Sequence, residues 1–206
     1  MGELIKANSF SQKNTVVLAR WLIGKVLVRG DPGAPVTRHV ITETEAYHSE
    51  LDLACHASKG RTPRTDVLYR GAGIWYVYLC YGIHEMLNLV VGPEDFPAAI
   101  LIRGVHDAIG PGRLTKALKI NRGLNGKPAD PSSGLWLEDD GLRFPRARVQ
   151  ATPRVGVDYA GPVWSAKPWR FVMSKGCSKS AKVRKYEGAK VRVLSLRSGG
   201  YGEGGG

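Results

Sequence analysis

Two glutamates and a tyrosine alternate with other residues in the order Thr-Glu-Thr-Glu-Ala-Tyr over residues 42–47. On a regular strand, side chains two positions apart share a face, so Glu43, Glu45 and Tyr47 are predicted to point the same way. A carboxylate in such a position can take a proton from water and stabilise nearby positive charge. The pattern is equally typical of a hairpin with one wet face, and without further information solvated glutamates are the default expectation.

Three tyrosines, Tyr76, Tyr78 and Tyr81, lie in one β-prone segment that ends at Gly82. Tyr76 and Tyr78 share a face if the segment is a strand, and the glycine permits an abrupt change of chain direction. Such rings can pack in a core, stack on nucleic-acid bases or project from a turn as a wedge. Spacing alone does not choose among these roles.

Arg103 ends the apolar run of residues 98–102. An arginine at the end of a buried strand needs an acidic or polar partner, and Glu45 would serve for folding or for catalysis. His56 and His84 lack HxxxH or paired-cysteine spacing, so structural roles are expected for both and a metal site is not.

Several enzyme classes lose support from missing motifs. The sequence has no GxxxxGK[ST] loop, no GxSxG elbow and no glycine fingerprint between a strand and a helix. Nucleotide hydrolysis, serine-hydrolase chemistry and dinucleotide redox chemistry are therefore not expected, and we predict no cofactor.

The elements that would position these residues can be predicted from hydrophobic periodicity. A helix is predicted over 14–23, and a hairpin is predicted from strands at 25–29 and 38–47 joined by a turn at 31–35. A polar loop follows at 48–72, and a short helix is expected at 112–120. Further strands are expected near 74–79, 86–91, 98–103, 135–138, 146–157 and 169–173. The prediction is a mixed fold that is richer in strand than in helix.

Composition limits the partners and the number of domains. The chain has 206 residues, 43% of them hydrophobic, which suits one domain. Its formal net charge of +12 favours a polyanionic partner, although many basic proteins bind no nucleic acid. Three widely spaced cysteines indicate a reduced, intracellular protein, without separating a nucleus from a bacterial nucleoid or cytoplasm. No apolar run is long enough to cross a membrane.

The composition changes towards the end of the chain. We predict one domain over residues 1–175 and a basic, Gly-rich flexible tail over 176–206, where Lys, Ser and Gly dominate and little apolar surface is available for packing.

A series of short motifs occurs in a fixed order through most of residues 10–173. The motifs are VITETEAY at 40–47, ACHAS at 54–58, TPR at 62–64, YVYLCYGIH at 76–84, ILIR at 100–103, GPGRL at 110–114, PRVGV at 153–157 and KPWRF at 167–171. Together they resemble the alkyladenine (3-methyladenine) DNA glycosylase family. Each motif is weak alone, but their number and order make the resemblance specific.

The resemblance implies a single mixed α/β (α+β) domain with a curved antiparallel sheet and flanking helices, similar to the C-terminal domain of methionyl-tRNA formyltransferase. It also implies a monofunctional DNA glycosylase that flips damaged purines out of duplex DNA and hydrolyses the glycosidic bond. In this role Glu45 would activate the attacking water, and Arg103 would hold both the water and the carboxylate. The expected lesions are 3-methyladenine and 7-methylguanine, with hypoxanthine and ethenoadenine as further candidates.

The resemblance also assigns residues to the flipped base. Tyr47 and His56 would lie on one side of a slot and Tyr78 on the other, with Asn88 as a polar check at the edge of the base. Tyr81 would fill the gap left in the duplex. Alkylation at N3 or N7 makes a purine cationic, which favours stacking against tyrosine faces.

The partner implied by the resemblance is double-stranded DNA that contains damaged purines, bound by a monomer. Arg61, Arg64, Arg113 and Lys116 are the candidate phosphate contacts, although solvated surface positions explain each of them equally well. The connection at 104–110 is shorter than in many relatives, so contacts made by their longer insertion do not transfer.

Two alternatives from another functional class stay open. One is a nonenzymatic domain that binds damaged DNA without turnover, and the other is an RNA-binding domain that stacks bases on its tyrosines. The joint presence of Glu45 and Arg103 favours the enzyme, since binding alone needs no carboxylate to activate water.

Overall fold

The structure, a computed structural model, describes residues 2–11 and 14–174. Within these residues it contains ten strands and three α-helices. In chain order they are β1 (Glu3–Leu4), α1 (Thr15–Trp21), β2 (Val26–Arg29), β3 (Thr37–His48), β4 (Trp75–Cys80), β5 (His84–Val90), β6 (Ala98–Val105), β7 (Ala108–Ile109), α2 (Pro111–Ala117), β8 (Leu135–Asp139), β9 (Val149–Thr152), α3 (Gly161–Ser165) and β10 (Arg170–Met173). The predicted tail at 176–206 lies outside the described residues.

The strands form one curved antiparallel sheet in the order β1-β8-β2-β3-β6-β5-β4. The long strand β3 pairs with β2 through its first residues and with β10 through Glu43, Thr44 and Glu45, while β6 runs along its other edge. The pairing register with β6 shifts around Glu43, and such a bulge bends a strand and increases its twist. The single mixed domain with a curved antiparallel sheet is confirmed, whereas the likeness to the formyltransferase domain stays a prediction.

Local sequence explains the elements that support β3. The predicted hairpin is present, with Val26 opposite Val40 and Arg29 opposite Thr37. The predicted first helix is also present, and the Asn14 side chain caps it by accepting a hydrogen bond from the backbone N–H of residue 17. This helix buries one face against β3 and β6, so the back of β3 is fixed to the core.

One predicted strand is shorter than expected. The β-prone segment at 146–157 forms a strand only over Val149–Thr152. Pro153 has no N–H to continue the pairing, and the following side chain, Arg154, turns into the interior. The chain therefore leaves the sheet and crosses the face of β3 that carries the glutamates.

Among the helices that the structure describes, none is long and apolar enough to span a bilayer.

Candidate active site

The two glutamates of β3 are buried, so the default expectation of a solvated face was wrong. Glu45 is 0% exposed and Glu43 is 6% exposed. The predicted alternation holds, because the Thr44 hydroxyl donates to the Ala19 carbonyl on the opposite face at 2.8 Å, whereas Tyr47 contacts Glu45. This face is not exposed to solvent because β10 and the segment after β9 cover these residues.

Glu45 receives hydrogen bonds from two sides. The Tyr47 hydroxyl donates to its Oε2 at 2.8 Å, and the Val155 backbone N–H donates to its Oε1 at 2.9 Å. Arg103 Nη1 lies 3.4 Å from Oε1. Burial raises the pKa of Glu45 above its ordinary value of 4.5, while Arg103, the amide of Val155 and Tyr47 act in the opposite direction. A carboxylate in this state accepts a proton more readily than a solvated one.

Arg103 is shared between two carboxylates. Its Nε donates to Glu43 Oε1 at 2.8 Å, while its Nη1 faces Glu45. Arg170 Nε also donates to Glu43 Oε1, at 2.6 Å. The proposed pairing of Arg103 with Glu45 is present, but Glu43 is the nearer partner. Glu43 is thus part of the candidate site. The alternation of residues 42–47 placed it on the same face as Glu45, whereas the family resemblance gave it no role.

The aromatic residues group differently from the predicted slot. The ring centroids of His56 and Tyr78 lie 4.6 Å apart in an edge-to-face contact, and His56 Nδ1 lies 2.9 Å from the Tyr76 hydroxyl. The ring of Tyr47 instead packs against the guanidinium of Arg154 at 4.9 Å. The direct contact of His56 with Tyr78 differs from the predicted slot, in which His56 lies with Tyr47 and opposite Tyr78. The cause is local, since the 3-10 turn that carries His56 packs against the tyrosines of β4.

His56 is predicted to stay neutral through the physiological range. Burial, assisted by the positive charge of Arg64, lowers the pKa of His56 to about 4. A pH titration of the imidazole NMR signals should therefore show one histidine that remains neutral down to about pH 4. Arg64→Gln should raise this pKa and thereby assign the signal, because it removes the positive charge of an exposed side chain that acts on His56. Titration of His56 near its ordinary value of 6.5 would contradict the buried placement.

Asn88 and Tyr81 occupy contrasting places on the β4–β5 hairpin. Asn88 is 3% exposed, and its Nδ2 donates to the backbone carbonyls of Tyr76 and Met86 at 3.2 and 3.3 Å. Tyr81 is 88% exposed at the tip of the turn, with a positive φ of 50° that non-glycine residues seldom adopt. Asn88 is thus fixed in the sheet, while Tyr81 projects into solvent.

The four candidate phosphate contacts are all exposed, but Arg61 and Arg64 are already engaged, and the Arg64 guanidinium lies 5.4 Å from the ring centroid of Tyr78. Arg61 forms ion pairs with Asp66 and Asp95, both at 2.9 Å. Arg113 and Lys116 lie on α2, which packs against β5.

Among the residues that the structure describes, no group of three or more His, Cys, Asp or Glu side chains could hold a metal ion.

The sequence interpretation missed a buried ion pair beside the glutamates. Arg154 Nη1 donates to Asp52 Oδ2 at 2.6 Å, and Arg154 Nη2 donates to Asp52 Oδ1 at 2.9 Å. Both side chains are 0% exposed. The two residues lie far apart in the chain and neither belongs to a periodic pattern, so only the PRVGV motif gave a signal, and only for Arg154.

Comparison with known proteins identifies the family of the chain. A family model described as methylpurine-DNA glycosylase matches residues 9–176. The chain is also 42% identical to three proteins that bear the name "Putative 3-methyladenine DNA glycosylase". The match covers 88% of this chain and 97% of the protein from Psychrobacter cryohalolentis. The corresponding shares are 81% and 88% for Anaeromyxobacter sp., and 79% and 88% for Methanocella arvoryzae.

These matches span nearly all of the described residues and confirm the resemblance that the motifs indicated. The chain therefore belongs to the methylpurine-DNA glycosylase family, whose activity is hydrolysis of the N-glycosidic bond in DNA repair.

Proposed function

We propose that the protein flips alkylated or otherwise damaged purines out of duplex DNA and hydrolyses their N-glycosidic bond, which leaves an abasic site. The observation that carries this proposal is the fully buried Glu45 carboxylate, held by Tyr47, the Val155 amide and Arg103 next to an aromatic cluster. The proposed lesions are 3-methyladenine and 7-methylguanine, followed by the neutral bases hypoxanthine and ethenoadenine.

In the proposed reaction Glu45 takes a proton from a water molecule, and the water oxygen forms the new bond to the sugar C1′. The bond from C1′ to the base nitrogen breaks, and its electron pair leaves with the base. The negative charges of Glu45 and Glu43 favour the positive charge that develops on the sugar, as in other glycoside hydrolyses. Arg103, fixed by Glu43, keeps the water and Glu45 in place. A covalent lysine intermediate is not needed.

The aromatic side chains supply the proposed base slot. Tyr47 forms one side, and the contacting pair of His56 and Tyr78 forms the other. Because its pKa is low, His56 is neutral and does not repel a cationic lesion, while the tyrosine faces attract one. Asn88, held by two backbone carbonyls, lies at the proposed edge of the base and restricts which groups fit there.

Tyr81 is proposed to enter the duplex and replace the flipped nucleotide. Its exposed ring at a tight turn suits this role, and Arg64, Arg113 and Lys116 supply exposed positive charge for phosphates. Arg61 is a weaker candidate, since two aspartates already pair with it.

Removing the Tyr81 ring should weaken processing without weakening the fold. Base stacking is worth about 1–3 kcal/mol, so Tyr81→Ser should lower single-turnover efficiency about fivefold to a hundredfold. Tyr81→Phe keeps the ring and should stay close to wild type. Thermal unfolding should be unchanged in both variants because the side chain is 88% exposed. Equal efficiency of the Ser and Phe variants would contradict the wedge role.

The activity is tested by single-turnover base release from duplexes that carry one hypoxanthine or ethenoadenine, and from methylated DNA. An undamaged duplex serves as the control substrate. Release from damaged DNA alone is the expected result. Absence of release from every substrate by a folded protein would favour the binding-only alternative. Preference for single-stranded RNA over damaged duplex in competition would favour the RNA-binding alternative.

A further inference from the structure

The buried pair of Asp52 and Arg154 ties together several parts of the chain around Glu45. Asp52 follows β3 and accepts hydrogen bonds from the backbone N–H groups of His48 and Ala54, both at 3.1 Å. Arg154 donates to the Ala46 carbonyl on β3 at 2.9 Å and to the Trp164 carbonyl on α3 at 3.2 Å. The pair therefore anchors the segment after β9 to the end of β3.

Arg154 also fixes the aromatic neighbour of Glu45. Its guanidinium lies 4.9 Å from the ring centroid of Tyr47 and 5.1 Å from that of Trp169. The Tyr47 hydroxyl in turn donates to Glu45. A cation held between two rings leaves Tyr47 little freedom to turn away from the carboxylate.

The residue after Arg154 supplies the amide that reaches Glu45. Val155 belongs to no strand and its side chain is 49% exposed, so its own packing does little to fix its backbone. Its N–H nevertheless donates to Glu45 Oε1 at 2.9 Å. The buried anchor next to this amide is Arg154.

We propose that Asp52 and Arg154 form a positioning pair for the catalytic carboxylate, which holds the Val155 amide and the Tyr47 hydroxyl on Glu45. Neither residue touches the reacting atoms. The pair has this role only if Glu45 is the proposed base. Since small displacements of catalytic groups cost up to about a hundredfold in rate, loosening the pair should slow base release without removing any reacting group.

The pair could affect Glu45 through the position of the Val155 amide or through its own charge. The pH dependence of base release distinguishes these two effects. The charged and titratable groups around Glu45 are Arg103 on β6, Arg170 on β10, Glu43 and Tyr47 on β3, and the pair itself. Glu45 must be ionised to accept a proton, so the rate falls as the pH drops below its pKa. The Val155 N–H holds this pKa down, and loss of the bond should therefore move the fall to higher pH.

Two variants of the pair differ in their effect on charge. Arg154→Lys keeps the positive charge but cannot bind Asp52 through two nitrogens. Asp52→Asn leaves Arg154 as an unpaired positive charge, which by charge alone would lower the pKa of Glu45 and move the fall to lower pH. If the pair acts by positioning the Val155 amide, both variants should instead move the fall in the rate of base release to higher pH. Val155→Pro, which removes the N–H itself, should shift it in the same direction.

The experiment measures single-turnover hypoxanthine release against pH for wild type, Glu45→Gln, Arg154→Lys, Asp52→Asn and Val155→Pro. The pair variants should lose about tenfold to a hundredfold in plateau rate and keep their affinity for duplex DNA, because both residues are buried. Asp139→Asn is the matched control, since it breaks the Lys25–Asp139 ion pair away from the site. It should lower the unfolding temperature and leave the rate and its pH dependence unchanged.

The outcomes separate the proposals from one another. No release by wild type from hypoxanthine, ethenoadenine or methylated DNA rejects the proposed function, and activity in Glu45→Gln rejects Glu45 as the base. If wild type is active and Glu45→Gln is not, unchanged rates and pH profiles in the folded pair variants overturn the positioning role. A shift to lower pH in Asp52→Asn also overturns it. If Asp52→Asn does not fold, Arg154→Lys decides, with Val155→Pro showing the shift that loss of the amide alone produces.

Discussion

Replacement of Glu45 by Gln is expected to lower single-turnover base release about a hundredfold to ten thousandfold, the usual contribution of a general base. Glutamine has nearly the same shape, so the contacts to Tyr47 and the Val155 amide can be kept in part. It cannot take a proton from water, and it carries no negative charge to stabilise the sugar. DNA binding should be retained, since Glu45 is fully buried in the free protein.

The control for this variant is another buried, arginine-paired glutamate. Glu138 is 7% exposed and forms an ion pair with Arg38. It lies on β8, which pairs with β1 and β2. Glu138→Gln should destabilise the fold to a comparable extent and leave base release unchanged. Activity of Glu45→Gln within a few-fold of wild type would remove the carboxylate from the mechanism, whatever its effect on stability.

The pH dependence of wild-type release follows from the same carboxylate. Burial raises the pKa of Glu45, so the rate should begin to fall at a pH above 4.5, its ordinary value, as acid protonates the base. The loss should be reversible and should occur while the protein remains folded, which circular dichroism at each pH would check. A rate that stays constant below pH 4.5 would contradict proton transfer to Glu45.

Sequence patterns were sufficient to predict the strand that carries the candidate site and the face on which its side chains lie. Period-two alternation correctly placed Glu43, Glu45 and Tyr47 on one face, because a strand fixes the direction of each side chain. The turn cluster after β2 correctly predicted the hairpin that delivers β3. Both features depend on residues that are close together in the chain.

Burial of that face could not be read from the alternation. It depends on Arg170 and Val155, which reach β3 from 127 and 110 residues away in the chain. The Asp52–Arg154 pair escaped notice for the same reason, since its two residues are 102 positions apart. The grouping of His56 with Tyr78 depends on how one irregular turn packs, and periodicity carries no information about irregular segments.

Replacement of Arg103 by Met should destabilise the protein by about 3–5 kcal/mol at neutral pH, the usual cost of leaving a buried charge without its partner. Arg103 is the cation nearest to Glu45, and Glu43 would retain only Arg170. Base release should also fall, because the water and Glu45 lose the group that orders them. Urea unfolding gives the stability and single-turnover kinetics gives the rate.

The sign of the pH effect identifies the cause of this instability. In the folded variant Glu45 has an even higher pKa than in wild type, because Arg103 no longer favours the charged form. A folded-state pKa above the unfolded value means that the cost is full at high pH and is relieved as acid protonates the carboxylate. The stability difference between wild type and Arg103→Met should therefore be smaller at pH 5.5 than at pH 8.

Arg170→Met provides the comparison. Arg170 shares Glu43 with Arg103, but its side chain is 26% exposed and Glu45 keeps its own cation in this variant. Its destabilisation should be smaller and should depend less on pH. If Arg103→Met and Arg170→Met lose the same stability at pH 8 and neither recovers at pH 5.5, the loss reflects packing of the arginine stems. In that case Arg103 would not be the counter-ion that keeps Glu45 ionised.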